Sequence, residues 1–296
     1  MTDRFAFASW LSTDPLILTT ANWHPREAPP LAETPLLHIW MAGREMTKAD
    51  IVRYHDRLTA LMPKWKHVIG SPDELVMLEN DDRSMFFHDQ LQVCPETWQI
   101  IPGCEKYYDA VLQSAAVAWK RHWLAAEVER VVMITYAHNR QDPELLSYLE
   151  HLKTVCPRAV FASPNGAMMD SDSLSGYMNQ SRVGLILSPA EGGCRAVAEY
   201  QLCGLPVVTT MHRGGRMAFV SPSHMQIVPA DEKAIAAAVN EFILAQLDPY
   251  DIREAFLKRH TAARLQAEKD LGVKLNWPKA PPPYLNMFTM EAPRAT

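Results

Sequence analysis

Glycine is scarce at the start of this chain: of 12 glycines none precedes Gly43, which excludes a glycine-rich, ligand-cradling loop from everything before it. Cysteine is equally uninformative as scaffolding. The five, at 94, 104, 156, 194 and 203, are odd in number and show no C-x-x-C spacing, so neither a disulfide framework nor a zinc site is indicated. The 11 histidines contain no H-E-x-x-H or H-x-H pair, which leaves catalysis by a protein-bound metal without a motif. Long apolar runs are missing too. The patch at Ala115 to Ala118 is broken at once by Lys120-Arg121-His122, so no membrane span is expected. Met1-Thr2-Asp3-Arg4 does not have the character of a secretory signal, and a reducing cytoplasm is the expected setting. Nor is there an excess of positive charge. Residues 1–130 hold 13 Lys plus Arg against 18 Asp plus Glu, and residues 131–296 hold 16 of each. A basic surface for gripping a nucleic-acid backbone or an anionic bilayer is therefore unsupported.

What is present suits a soluble globular protein of one large or two modest domains: 48% hydrophobic and 21% charged residues. Residues 1–35, rich in Pro, Thr and Ala, read as extended or loop structure with one strand at Leu16 to Thr20. Leu36 to Met41 and His67 to Ile69 read as strands. Thr47 caps an apolar-periodic helix over Lys48 to Leu61, and Ser71-Pro72-Asp73-Glu74 opens another. Tyr107 to Ala126 is predicted as a helix bridging two halves. Beyond it, Val131 to Tyr136, Ala159 to Ala162, Val183 to Leu187, Leu205 to Thr209 and Gln226 to Val228 are predicted strands separated by helices, a doubly wound sheet. Tyr250 to Glu268 is a further helix, and the tail from Trp277, with Pro281-Pro282-Pro283, is predicted to be extended or mobile.

The chemistry concentrates in residues 181–215, SRVGLILSPAEGGCRAVAEYQLCGLPVVTTMHRGG. Strand, helix (Ala196 to Leu202) and strand within about thirty residues form a βαβ unit, whose ligand sites lie at the carboxyl ends of the strands. Ser188 to Gly193 occupies such an end. Gly192-Gly193, followed by Cys194-Arg195, lets backbone N–H groups approach a ligand, and the helix amino terminus beyond them attracts phosphate. Glu191 belongs to the loop. Glu199, on the helix, offers two acceptor oxygens to the two hydroxyls of a ribose. Basic residues gather after the predicted strands: His138 and Arg140, Arg195, and His212, Arg213 and Arg216. Gly214-Gly215 is a turn just past a strand end. Asp170-Ser171-Asp172 has the D-x-D form of a metal-bound sugar-nucleotide motif, but the apolar Leu174, Tyr177 and Met178 that follow favour a helix cap.

Glu191-Gly192-Gly193-Cys194 through Glu199, Gly204-Leu205-Pro206-Val207-Val208, Gly214-Gly215 and Ile227-Val228-Pro229-Ala230-Asp231 together resemble the retaining glycosyltransferases of the GT-B fold, above all those with a Glu-x7-Glu pair. The resemblance runs over residues 98–246. It implies an α/β protein of two Rossmann-like domains, here with a short, reduced amino-terminal domain over residues 1–105 and a doubly wound nucleotide-sugar domain over 106–248. A helix over 249–275 would cross back to the first domain, and a Pro-rich tail would occupy 276–296. It also implies sugar transfer from a nucleoside-diphosphate sugar with retention and no resident cofactor, with Glu191 serving the sugar and the transition state.

In that family an Arg and a Lys after the first strand of the second domain stabilise the leaving diphosphate. With Val131 to Tyr136 as that strand, only Arg140 fits. A glycine-rich loop after the first domain's first strand has its only counterparts in Gly43-Arg44 and Gly70-Ser71, the acceptor-side candidates. The acceptor is not legible; a modified nucleic-acid base is one option, disfavoured by the acidic first half. The alternative activity is a non-catalytic nucleotide-sugar-binding or scaffold protein.

Overall fold

The computed structural model describes residues 18–19, 37–40, 48–49, 52–53, 56, 66–69, 78, 84–86, 88–136, 143–163, 166–191, 193–271 and 277. The first four strands, β1 (Leu18–Thr19), β2 (Leu37–Trp40), β3 (Lys66–Ile69) and β4 (Ser84–Phe86), pair in parallel in the order β1-β2-β3-β4. Three of them fall where strands are expected. β4 is too short, and too close to Asp81-Asp82-Arg83, to announce itself by pattern.

The second sheet has six parallel strands: β5 (Tyr108–Ala115), β6 (Val131–Tyr136), β7 (Val160–Phe161), β8 (Ser181–Ile186), β9 (Val207–Thr210) and β10 (Met225–Val228), in the order β10-β9-β8-β5-β6-β7. Numbered within the sheet this is 3-2-1-4-5-6, the Rossmann order. The doubly wound expectation holds, with one correction at its centre. The bridging helix predicted over Tyr107 to Ala126 is instead β5 followed by two 3-10 turns, Ala118–Lys120 and His122–Ala125. β5 is central: Ala110, Val111 and Leu112 are at most 2% exposed, paired with β6 on one side and β8 on the other. A strand covered on both faces has no polar alternation, and the alanines that follow it favour helix by propensity. Sheet pairing overrides that preference. β6 is therefore the second strand of this sheet.

The strands of the second sheet are accompanied by α1 (Pro143–Val155), α2 (Ser171–Asn179), α3 (Arg195–Leu202), α4 (Glu232–Ala245) and α5 (Pro249–Leu271). Asp170 accepts from Ser173 N at 2.7 Å as the α2 cap, and Asp231 caps α4 through Ala234 N at 2.9 Å. Neighbouring strand residues point to opposite faces. Val111, Val132, Ile134 and Ile186 pack with Tyr200 and Phe256 of α3 and α5. Ala110, Leu112, Met133 and Leu185 pack with Ile235, Val239 and Phe242 of α4.

α5 also turns back along the chain. Arg253 donates to the carbonyls of Pro95 (2.9 Å), Trp98 and Leu202, Arg264 to those of Leu91 and Val93 (both 2.9 Å), and His260 Nε2 lies 3.0 Å from Gln90 O. All are backbone carbonyls, of residues 90–98 or of the last residue of α3. Trp277 docks on the same helix, its Nε1 3.0 Å from Glu268 Oε1, while the rest of the proline-rich tail and the expected helices at Lys48 to Leu61 and Ser71 to Glu74 lie wholly or largely outside the described residues. Among the described residues no helix is long and apolar enough to cross a membrane.

Gly184 of β8 shows how tightly α3 lies on the sheet. A Cβ there would sit 2.2 Å from Tyr200 Cδ2, and the ring is held because Gln113 N donates to Tyr200 Oη at 2.8 Å. Gly184→Ala is expected to cost about 1–3 kcal/mol through overpacking, lowering the thermal midpoint by about 2–4 °C per kcal/mol. Calorimetry checks this; an unchanged midpoint would mean that Tyr200 can move away.

Candidate functional site

The chain leaves β5 towards β6 on one side of the sheet and β8 towards β9 on the other. A crevice opens outside the carboxyl ends of β5 and β8, where such folds hold ligands. Three loops meet there: residues 116–121 after β5, 187–191 and 193–194 after β8, and 211–216 after β9. The last two are zipped together by a parallel bridge between Ala190 and Arg213, with Glu191 N donating to Arg213 O and Arg213 N to Pro189 O, both at 3.1 Å.

Charged side chains converge on this crevice. Lys120 forms an ion pair with Glu191, whose Oε1 also accepts from Ser188 Oγ at 2.7 Å. Arg216 donates through one guanidinium nitrogen to Ser188 O (2.7 Å) and Ser188 Oγ (2.8 Å), and through the other to Thr210 O (3.1 Å). Arg121 donates to Leu187 O and Thr210 Oγ1, both at 2.6 Å. A relay thus runs from Arg216 through Ser188 to Glu191 and Lys120.

Two consequences follow. Arg121 and Arg216 hydrogen-bond only to neutral oxygens among the described residues, so Glu191 is the one carboxylate answering three cations in this network. Arg216 is also 0% exposed, and burial pulls its guanidinium down to about 10, with nearby Arg121 acting in the same direction. A buried cation without a matching anion is costly, and a site of this kind favours an anionic ligand. Arg121 further adopts a left-handed backbone, φ 53°, between the two 3-10 turns. Such a conformation in a non-glycine residue costs of order 1 kcal/mol and clusters at ligand sites.

The start of α3 faces the same crevice. Its cap residue Cys194 makes no side-chain hydrogen bond to the helix, and burial, then Glu191, push the Cys194 thiol up to about 12. That thiol is therefore not a nucleophile at neutral pH. The first-turn N–H groups receive no side-chain cap from Cys194 and carry the helix's positive end.

The expected site residues distribute as follows. Glu191 is at the crevice. Gly193 is buried and Cys194 half-buried just before α3, and Glu199 sits on the second turn of that helix at 1% exposure. Arg195 turns to Gln92 Oε1, 2.9 Å away. Gly215 O accepts from His88 Nε2 at 2.7 Å, and Gly214 has φ 100°, which explains a glycine at that turn. His138, Arg140, Gly192, Gly43, Arg44, Gly70 and Ser71 lie outside the described residues. The transfer of a role to Arg140 assumed that β6 comes first. Since β5 does, the basic residues that follow the first strand are Lys120 and Arg121. The sequence reading missed these two, along with Thr210; it placed Ser188 at the strand end without giving it a role. Its available signal was Lys120-Arg121 closing an apolar run, taken there only as evidence against a membrane span. Among the described residues no three His, Cys, Asp or Glu side chains cluster to hold a metal ion.

No protein-family model and no curated protein matches this sequence. Solved structures do match. HepE from Anabaena in complex with UDP-glucose shares 16% identity at a TM-score of 0.64, over 86% of this chain and 78% of that one. Sucrose-phosphate synthase from Thermosynechococcus elongatus shares 18% at 0.60, over 86% and 72%. A glycosyltransferase from Rickettsia africae shares 16% at 0.57, over 80% and 70%. The likeness is one of fold, and the fold is that of GT-B glycosyltransferases.

His122, next to Arg121, is 0% exposed, its Nε2 2.7 Å from Ser114 Oγ and its Nδ1 3.0 Å from Tyr148 Oη. Burial first, and Lys120 second, lower it to about 3. The folded state then binds fewer protons than the unfolded chain between about pH 6.5 and 3. Stability should be full above that window and fall as pH drops through it. Urea unfolding of His122→Asn against pH should show an acid branch shallower by one proton; an unchanged slope would mean that His122 is protonated in the fold.

Proposed function

We propose that this chain is a retaining, metal-independent glycosyltransferase that moves a sugar from a nucleoside-diphosphate sugar to an acceptor. The observation that carries the reading is the gathering of Lys120, Arg121 and Arg216 at the switch point of a Rossmann sheet, where Lys120 pairs with Glu191 and the two arginines meet only neutral oxygens among the described residues. The UDP-glucose complex of the similar HepE structure supports a sugar nucleotide as the class of donor.

In this reading the diphosphate lies over the start of α3, with its phosphates on first-turn N–H groups and on Lys120 and Arg121. The bond from sugar C1 to the diphosphate oxygen breaks as the acceptor oxygen bonds to C1 on the same face, and the acceptor proton passes to the leaving phosphate. Negative charge grows on the diphosphate during this step. Fixed cations in a desolvated crevice stabilise it where it develops. Arg216, which touches only protein, orients Ser188 and through it Glu191. Glu191 is assigned to the sugar and Glu199 to the ribose diol, which reaches Glu199 once the groups covering it move apart. His138 and Arg140, following β6, remain donor-side candidates, and Gly43, Arg44, Gly70 and Ser71 acceptor-side ones. The five cysteines, all free, suit a reducing cytoplasm. The alternative, a non-catalytic binding protein, drew part of its force from a missing lysine after the first strand, the position Lys120 fills.

Calorimetric titration with UDP, GDP, ADP and TDP in EDTA, followed by assay of donor-sugar turnover, tests the assignment. One diphosphate should bind without metal. Lys120→Met should weaken it by about 1.5–3 kcal/mol, the scale of a hydrogen bond to a charged group. Glu191→Gln removes a carboxylate that competes for Lys120, so affinity should hold or rise while turnover falls. Binding that needs magnesium, or a Glu191→Gln variant with weakened diphosphate affinity, would sink it.

A second titration separates the glutamates. Glu199→Gln should weaken the bare diphosphate by about 1.5–3 kcal/mol, through the ribose; equal affinity in Glu199→Gln and the wild type would remove Glu199 from the donor site.

A further inference from the structure

A second cleft, of about 470 Å3, lies between the turn that follows β5 and the first turns of α1. Its volume is within the range of small-molecule sites. One wall is aliphatic: Ala116, Val117 and Ala118. The other is the helix face bearing Glu144, Ser147, Tyr148 and His151, spaced as one stripe. Neither the crevice network nor the diphosphate assignment uses any of these residues.

Two features mark the cleft as built. Tyr148 is anchored from behind, because its hydroxyl meets the buried His122, which in turn meets Ser114 on β5. A fully satisfied buried chain of this kind holds the ring in one orientation. The opposite wall is anchored as well: Val117 O accepts from Lys120 N at 3.0 Å, and Ala116 N donates to Tyr136 O at 2.8 Å. The 3-10 turn that supplies Ala118 to this wall is the same turn that ends in Lys120.

We propose that this cleft binds a saccharide ring. A pyranose presents aliphatic C–H groups on its faces and hydroxyls around its edge. Val117, Ala118 and the Tyr148 ring fit the first, and the carboxylate of Glu144, the hydroxyl of Ser147 and the imidazole of His151 fit the second. The mixed lining does not suit a purely apolar ligand, and Glu144 disfavours an anionic one.

The experiment titrates the full chain with glucose, galactose, mannose, N-acetylglucosamine and their disaccharides, by calorimetry and ligand-observed NMR, with and without UDP. At least one saccharide should bind. Ser147→Trp, an exposed position, should abolish saccharide binding by filling the cleft and leave UDP affinity unchanged. His151→Ala and Glu144→Gln should each weaken the saccharide by about tenfold, the loss of one hydrogen bond to a polar or charged group. Transfer of sugar from a UDP-sugar onto the bound saccharide would identify it as the acceptor; a shift in UDP affinity without transfer would identify it as an effector. Either supports the site, and saccharide binding survives even if no donor is ever turned over. Absence of binding by every saccharide, or binding that persists in Ser147→Trp, overturns the proposal.

Discussion

A guanidinium shut away from the protein surface organises the centre of this protein. Arg216 is fully buried, and its charge is tolerable only because carbonyl and hydroxyl oxygens are aimed at it. Those oxygens belong to Ser188 and Thr210, the residues where β8 and β9 give way to loops. Satisfying one side chain therefore fixes the exit of two strands. Ser188, so held, points its own proton at Glu191, and Gln90 closes the far side by donating to Arg216 O at 2.6 Å. The geometry of the crevice follows from a desolvation penalty.

The βαβ segment was legible because its signals are local: two short apolar runs, and between them a helix opened by a glycine pair. The cap at Asp170 was legible for the same reason, since a cap is written within four residues. β5 was not legible. Its identity depends on β6 and β8 covering both edges and on α3 and α4 covering both faces, none of which is visible in the run Tyr108 to Ala115 itself.

That one displacement carried the basic residues with it. Reading a helix through Lys120 and Arg121 puts them on a solvated surface, whereas a strand ending at Ala115 delivers them to the crevice. Glu191 could be located from its motif, but its partner is 71 positions earlier in the chain and brought close only by strand order. Arg216 gave no sign of burial, because long basic side chains are rarely found inside without a carboxylate.

The segment from His88 to Trp98 belongs, by its contacts, to the second sheet. Leu91, Val93 and Trp98 are part of the core beneath α3, and α5 grips their backbone from outside. A cut at the apparent linker near Gly103 would strip three large apolar residues from that core and strand the guanidinium groups of Arg253 and Arg264. A shortened form that kept this core would therefore have to carry His88 to Trp98 together with α5.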